Sequence, residues 1–275
     1  AKTWLLMPLY GAMAPTEAIP TARDLANRAL ELEPSSARAR AVLGAIAMQF
    51  DWDWARAEAL LREAVTRNPN DATAQQWLGE LYCYTKRLTD CLRHLELARA
   101  LDPLSPLLHW LQGSPLLWSG DYAGAAALYA DALQEVPDFG LGRYSLGLAY
   151  AGLGEWDRAI AAYRSALPLL GPAIVNGPLV YALARAGDLP AARARLSERE
   201  SLSAARYVPP SKLAVAYLGL GDRERAVEWL ARATEVRDDR LVYLTVDVHF
   251  RDLHDDPAFR EIAAAVGLGE TLDTG

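Results

Sequence analysis

Four histidines, two cysteines and a small glycine cluster are the residues of this 275-residue chain from which chemistry could be built. His94, His109, His249 and His254 form no His-Glu-x-x-His pair, and no cysteine–histidine spacing of the kind that holds zinc is present. His249 and His254 stand five apart beside Asp252, Asp255 and Asp256, a faint metal-ligand pattern that reads better as solvated side chains. Gly140, Gly142 and Gly147 have the density of a nucleotide loop, yet no strand precedes them and neither phosphate-loop nor dinucleotide spacing fits. No Gly-x-Ser-x-Gly elbow occurs, and the acid pair Asp238-Asp239 falls where a turn is expected. No residue set is singled out as catalytic, cofactor-binding or metal-binding, so the expectation is a chain without enzymatic activity. Cys83 and Cys91 are read as a reduced intracellular pair, with a disulfide as the alternative.

Composition agrees with a folded, non-nucleic-acid-binding chain. Apolar residues make up 52% and charged residues 23%, the balance of a globular protein rather than a disordered one. A net charge of −7 and a pI near 5.2 give no concentrated basic face for phosphates. No apolar run is long enough for a membrane span, and the first ten residues lack a basic leader and cleavage site, so a cytoplasmic location is expected.

The elements that would position any site announce themselves through a repeat. The pairs Gly120/Ala125, Gly154/Ala159, Gly187/Ala192 and Gly221/Ala226 return at intervals of 34, 33 and 34 residues. Pro69, Pro103 and Pro137 keep the same 34-residue beat upstream. A period of this length means stacked helix pairs, each able to hide its apolar face only against its neighbours. Glycine stops the first helix of a pair in the left-handed conformation, and Asp53, Asp121, Asp188 and Asp222 then cap the second.

Small residues mark where helices must touch. Ala29, Ala64, Ala98, Ala132, Ala166 and Ala233 share one phase, while Gly44, Gly79, Gly113, Gly147 and Ala214 share another inside the first helices. Glycine within a helix costs about 1 kcal/mol relative to alanine, so its return at one phase predicts a neighbouring helix passing close by. Cys91 falls in the small-residue slot, 34 from both Ala57 and Ala125. The phases predict about seven pairs, with second helices centred near residues 25, 60, 94, 128, 162, 195 and 229. Three places break the pattern: a longer turn over Gly11 to Pro20, about one extra residue between Phe50 and Trp54, and a weak sixth pair ending in the connector Ser201 to Pro210.

This grammar resembles the tetratricopeptide repeat (TPR) over nearly the whole chain. The stretches Phe50 to Glu58, Asn68 to Ala72, Leu101 to Pro106 and Tyr207 to Leu268 further resemble the C-terminal repeat regions of bacterial signalling proteins, where repeats follow a winged-helix domain, a Ser/Thr kinase or an adenylate cyclase. Val248, Arg251, His254 and Ala258 depart from that group's closing segment. The resemblance implies an all-α, right-handed superhelical solenoid: residues 1–240 as a TPR array with a truncated first and irregular sixth repeat, and 241–275 as a C-terminal cap. Asp256 and Pro257 suit the start of a capping helix whose Phe259, Ile262 and Val266 cover the last repeat.

Function then follows from the inner face of such an array. Projected onto the repeat phase, the groove-facing residues are Gln76, Trp77, Glu80, Tyr84, Trp110, Trp118, Tyr144 and Tyr181, aromatic anchors with a few polar groups. The expectation is a non-catalytic module that binds a protein or peptide partner there and regulates an attached effector domain. The alternative is a small-molecule-binding or enzymatic repeat protein with a pocket near the irregular sixth repeat. Trp52, Trp54 and Trp156 are read as packing between repeats. Leu5, Leu6 and Met7 look like half of a buried helix, so a first repeat cut from a longer chain would expose an apolar patch open to homodimerisation.

Overall fold

The computed structural model describes residues 1–8, 12–203 and 207–272, without the side chains of 198–203. Gly11, the side chain of Arg199 and the middle of the Ser201 to Pro210 connector therefore lie outside what is described. Within them the chain is helical and contains no strand.

Seven antiparallel pairs follow one another: α1 (Lys2–Leu6) with α2 (Pro15–Leu32), α3 (Ala37–Ile46) with α4 (Trp54–Arg67), and α5 (Ala72–Tyr84) with α6 (Leu88–Leu101). Next come the broken helix α7 (Pro106–Leu111) and α8 (Ser114–Ser119) with α9 (Tyr122–Glu135), then α10 (Gly140–Leu153) with α11 (Trp156–Leu170). The last two pairs are α12 (Pro172–Arg185) with α13 (Leu189–Ser203), and α14 (Pro210–Gly219) with α15 (Arg223–Glu235). A closing helix, α16 (Pro257–Ala265), follows two 3-10 turns at Asp239–Tyr243 and Val248–Leu253.

Local chemistry explains the joints. Asp53, Asp121 and Asp222 each accept a backbone N–H from three residues on, which fixes the start of α4, α9 and α15. The glycine slot between helices is left-handed at Gly120, Gly154, Gly187 and Gly221, with φ between +74° and +92°. Trp52 and Lys86 occupy that same phase with φ of +57°, a conformation that strains a residue bearing a Cβ. The extra residue expected near Phe50 is absorbed by a π-helical turn over Ala47–Asp51. Inside α10, Gly147 lets Tyr163 of α11 lie against its backbone, since a Cβ there would stand 2.5 Å from the ring.

Four features differ from the sequence reading. Helix α2 already begins at Pro15 and carries Pro20 within it, so the first turn is shorter than expected. The fourth first-helix is broken at Gly113, where Pro115 removes a backbone donor in the new first turn. Leu5 is buried against its own chain, which leaves Leu6 and Met7 as the half-buried remainder of the expected N-terminal patch. Cys83 and Cys91 are joined by a disulfide between α5 and α6, with Cα atoms 5.1 Å apart, in place of the expected reduced pair. Cys91 is fully buried in its small-residue slot as the repeat phase required.

Candidate functional site: the concave face and its own C-terminal segment

The first helices of the pairs line the concave face of the superhelix. The eight residues projected there are divided in their surroundings. Trp77, Glu80, Tyr84, Tyr144 and Tyr181 are buried, whereas Gln76, Trp110 and Trp118 are half-buried. Residues 239–253 lie against this face at Tyr84, Trp118 and Tyr181 instead of only covering the end of the array.

Contacts follow this segment from one repeat to the next. Tyr84 on α5 donates its hydroxyl to Tyr243 at 3.1 Å, and the two rings meet edge to face. Trp118 on α8 lies against both Tyr84 and Tyr243, with ring centroids 5.3 and 5.9 Å away. Tyr181 on α12 meets the edge of the His249 imidazole at 4.7 Å, and Arg251 donates to the Tyr122 hydroxyl of α9. Gln76 hydrogen-bonds Glu80 on the next turn of α5, while Lys2 lies over the Trp77 ring. Trp110 packs edge-on against Phe139.

The segment also closes the array on itself. The Trp54 indole N–H donates to the Val266 carbonyl at 2.7 Å, and the Arg237 guanidinium stacks over Trp52, reaching the Phe50 and Asp51 carbonyls. Trp52 and Trp54 therefore join the second pair to the C-terminal end rather than simply packing between neighbouring repeats. Phe259 and Val266 of the closing segment are fully buried, and Asp256 caps α16 as the sequence implied.

Buried charge collects where the segment meets α14. Asp238 and Asp239 have no exposed surface. Asp238 accepts the backbone N–H groups of Ser211 and Arg240, and Asp239 pairs with the Arg240 guanidinium at 3.4 Å. Burial raises the Asp239 carboxyl to about 6, with Arg240 pulling the other way. His249, read from sequence as solvated, is 2% exposed and holds Asp247 at 2.7 Å. Burial would raise the Asp247 carboxyl, but the imidazole, its hydrogen bonds and Lys212 outweigh that and leave it at about 2. Glu80 goes the other way: burial pushes it up to about 7 against the hydrogen bond from Gln76.

A cavity of about 70 Å³ remains between the concave face and the segment, lined by Trp110, Trp118, Tyr144, Ser211, Lys212 and Val246 among others. Sequence reasoning found Trp110, Trp118 and Tyr144 from the repeat phase. It missed Lys212, Arg240, Tyr243 and Asp247, whose contacts lie too far along the chain to leave a spacing signal. The one available hint was a tail carrying Leu241, Leu244, Phe250 and Leu253, more apolar residues than covering one repeat requires. Among the described residues, no group of three or more His, Cys, Asp and Glu is placed to hold a metal, and no helix is long and apolar enough to cross a membrane.

Known structures share this architecture. The chain is similar to human IFIT1, solved as a dimer with m7Gppp-AAAA, at 16% identity and a TM-score of 0.63, covering 94% of this chain and 66% of that one. It is similar to a protein of the APC/C hetero-tetramer Cut9-Hcn1 at 14% identity and a TM-score of 0.60, covering 90% of this chain but 45% of that one. PilW, a type IV pilus biogenesis factor, is similar at 21% identity and a TM-score of 0.53, covering 72% of this chain and 92% of that one. At these identities the likeness is one of fold, and the chain spans less than half of the Cut9-Hcn1 relative. No curated protein matches. Profiles of the tetratricopeptide repeat match residues 53–106, 111–173 and 211–240, together more than half of the chain. With the helix pairs stacked as described, the chain belongs to the tetratricopeptide-repeat family and has the fold of a protein–protein interaction scaffold.

Proposed function

We propose that the chain is a non-catalytic interaction and sensing module that holds a peptide or protein partner at its aromatic concave face and regulates an attached effector domain. One observation carries this reading: Tyr84, Trp118 and Tyr181 already grip an irregular stretch of polypeptide, residues 239–253 of the same chain. Rings of this kind supply contact area at low entropic cost, which is what a peptide-binding surface needs.

Energetics argue that a partner joins this segment rather than replacing it. Leu241, Leu244, Phe250 and Leu253 are each at most 2% exposed. At about 1.5–3 kcal/mol per buried side chain, extracting four costs roughly 6–12 kcal/mol, the scale of a whole domain's stability. The surface offered to a partner is then the rim around half-buried Gln76, Trp110 and Trp118, built jointly by array and segment. Self-association through the N-terminal helix has less support, because Leu5 is already covered.

The test is selection of binding peptides from a random display library on the full chain, followed by titration of labelled hits. Trp110→Ala should weaken binding about tenfold or more, as truncated hot-spot rings do, with far-ultraviolet circular dichroism unchanged. Equal affinity of Trp110→Ala, Trp118→Ala and the unaltered chain would sink the reading. A second reading, a small-molecule site near the sixth repeat, is favoured by the cavity that Ser211 and Lys212 line just beyond the connector.

A further inference from the structure

Lys212 is a buried cation with an unusual set of neighbours. It is 4% exposed, and its ammonium donates to the Tyr144 hydroxyl at 2.7 Å while lying 5.2 Å from that ring's centroid. An ammonium carries three N–H donors, and buried charges are ordinarily paired with an opposite charge. Among the described residues, no carboxylate lies within 4.0 Å of it.

The acids nearby are already engaged. Asp247 accepts from the His249 backbone and lies on its imidazole, and Asp238 accepts two backbone N–H groups. Asp239 pairs with Arg240. The charge of Lys212 reaches Asp239 and Asp247 only as a longer-range influence.

Lys212 also lines the 70 Å³ cavity, with Tyr144 taking one of its three donors, and two further donors there have no partner. The Ser211 hydroxyl, in a residue 2% exposed, and the Trp110 indole N–H line the same cavity without a hydrogen-bond partner. Indole and ammonium can only donate, so whatever enters must bring acceptor oxygens. Leu117, Leu148, Ile174 and Val215 give the wall an apolar part, and Arg240 and Asp247 also line it, so the two cations Lys212 and Arg240 outnumber the one carboxylate. The volume is roughly half of the ~150 Å³ hole that takes benzene, which matches a ligand of about three to five heavy atoms.

We propose that this cavity binds a short-chain monocarboxylate, with its carboxylate on the Lys212 ammonium and Ser211 hydroxyl and its alkyl group among the apolar wall residues. Chloride, phosphate and sulfate all lack an apolar body to set against Leu117, Leu148, Ile174 and Val215. Val246, Asp247 and Phe250 of the C-terminal segment form one side of the cavity and the array forms the other, so the ligand bridges both. The site does not depend on peptide binding at the rim.

The experiment uses the full chain, thermal unfolding and calorimetry with sodium formate, acetate and propionate, against sodium chloride and phosphate at equal ionic strength. A saturable rise in Tm and binding heat are expected for a carboxylate alone. Lys212→Met, which keeps the stem and removes the charge, should weaken that binding at least about tenfold, the scale of a charge-assisted hydrogen bond. If Lys212→Met does not fold, Ser211→Ala decides, and it must weaken propionate about threefold or more for loss of one hydrogen bond. Absence of a saturable shift with all three acids overturns the proposal, as does an equal response to chloride or phosphate, or unchanged affinity in the folded variant. Peptide capture is not read here, so this result and the rim reading can fail separately.

Discussion

Glu80 makes the stability of the chain depend on pH in a direction opposite to most acidic side chains. Its carboxyl is buried beside Tyr84 and Tyr243, and burial raises it to about 7 from an ordinary value of 4.5. Between those two values the folded chain keeps the proton and the unfolded chain releases it. Stability from this group is therefore fully present below pH 4.5 and lost as pH rises through about 7. A shift of this size corresponds to roughly 3 kcal/mol, at about 1.36 kcal/mol per pKa unit. Glu80→Gln keeps the shape and the hydrogen bonding while removing the titration. The variant should match the unaltered chain near pH 5 and exceed it near pH 8, with Tm higher by about 5–10 °C for a chain of this size. Differential scanning calorimetry from pH 5 to 8 on both proteins isolates this group, because other titrations such as that of Asp239 cancel in the difference. Parallel Tm profiles would refute the argument that Glu80 is held protonated by burial.

Three further outcomes follow from the joints of the array. Lys86→Gly should stabilise by about 1 kcal/mol, since glycine relieves a left-handed backbone that a side chain strains; urea unfolding reads this directly. Gly147→Ala should cost about 1–3 kcal/mol, because its methyl would press on the rigid Tyr163 ring, and the same denaturation measurement checks it. Trp54→Phe keeps the ring but deletes the bond to the Val266 carbonyl, so stability should fall by about 0.5–1.5 kcal/mol, with faster amide exchange in 262–268.

The array was readable because every pair repeats the same solution to the same contact. Gly44, Gly79 and Gly147 recur where a facing side chain presses on the helix backbone, and Asp53, Asp121 and Asp222 recur where a helix begins. Lys86 carries the joint geometry without the glycine, so its place in the pattern is visible only from its backbone angle. The C-terminal segment escaped for a different reason. Its 3-10 turns leave no 3.6-residue pattern, and its partners stand far away in the sequence, as with Tyr84 and Tyr243 at a separation of 159. Asp238-Asp239 reads as an ordinary turn because Ser211, whose backbone N–H donates to Asp238, stands 27 residues earlier in the chain. Trp52 and Trp54 were recognised as packing residues, but their partners, Arg237 and Val266, depend on how far the superhelix curls.

Everything proposed for the concave face rests on residues 241–253 lying inside it, and hydrogen–deuterium exchange of the full chain reads this most directly. Peptides covering Leu241 to Leu253 should be protected to the same order as those from α5 and α10, because they are held by contacts to three different repeats. Exchange of those peptides within the first time point, while α5 and α10 remain protected, would show the concave face to be open and contradict the account.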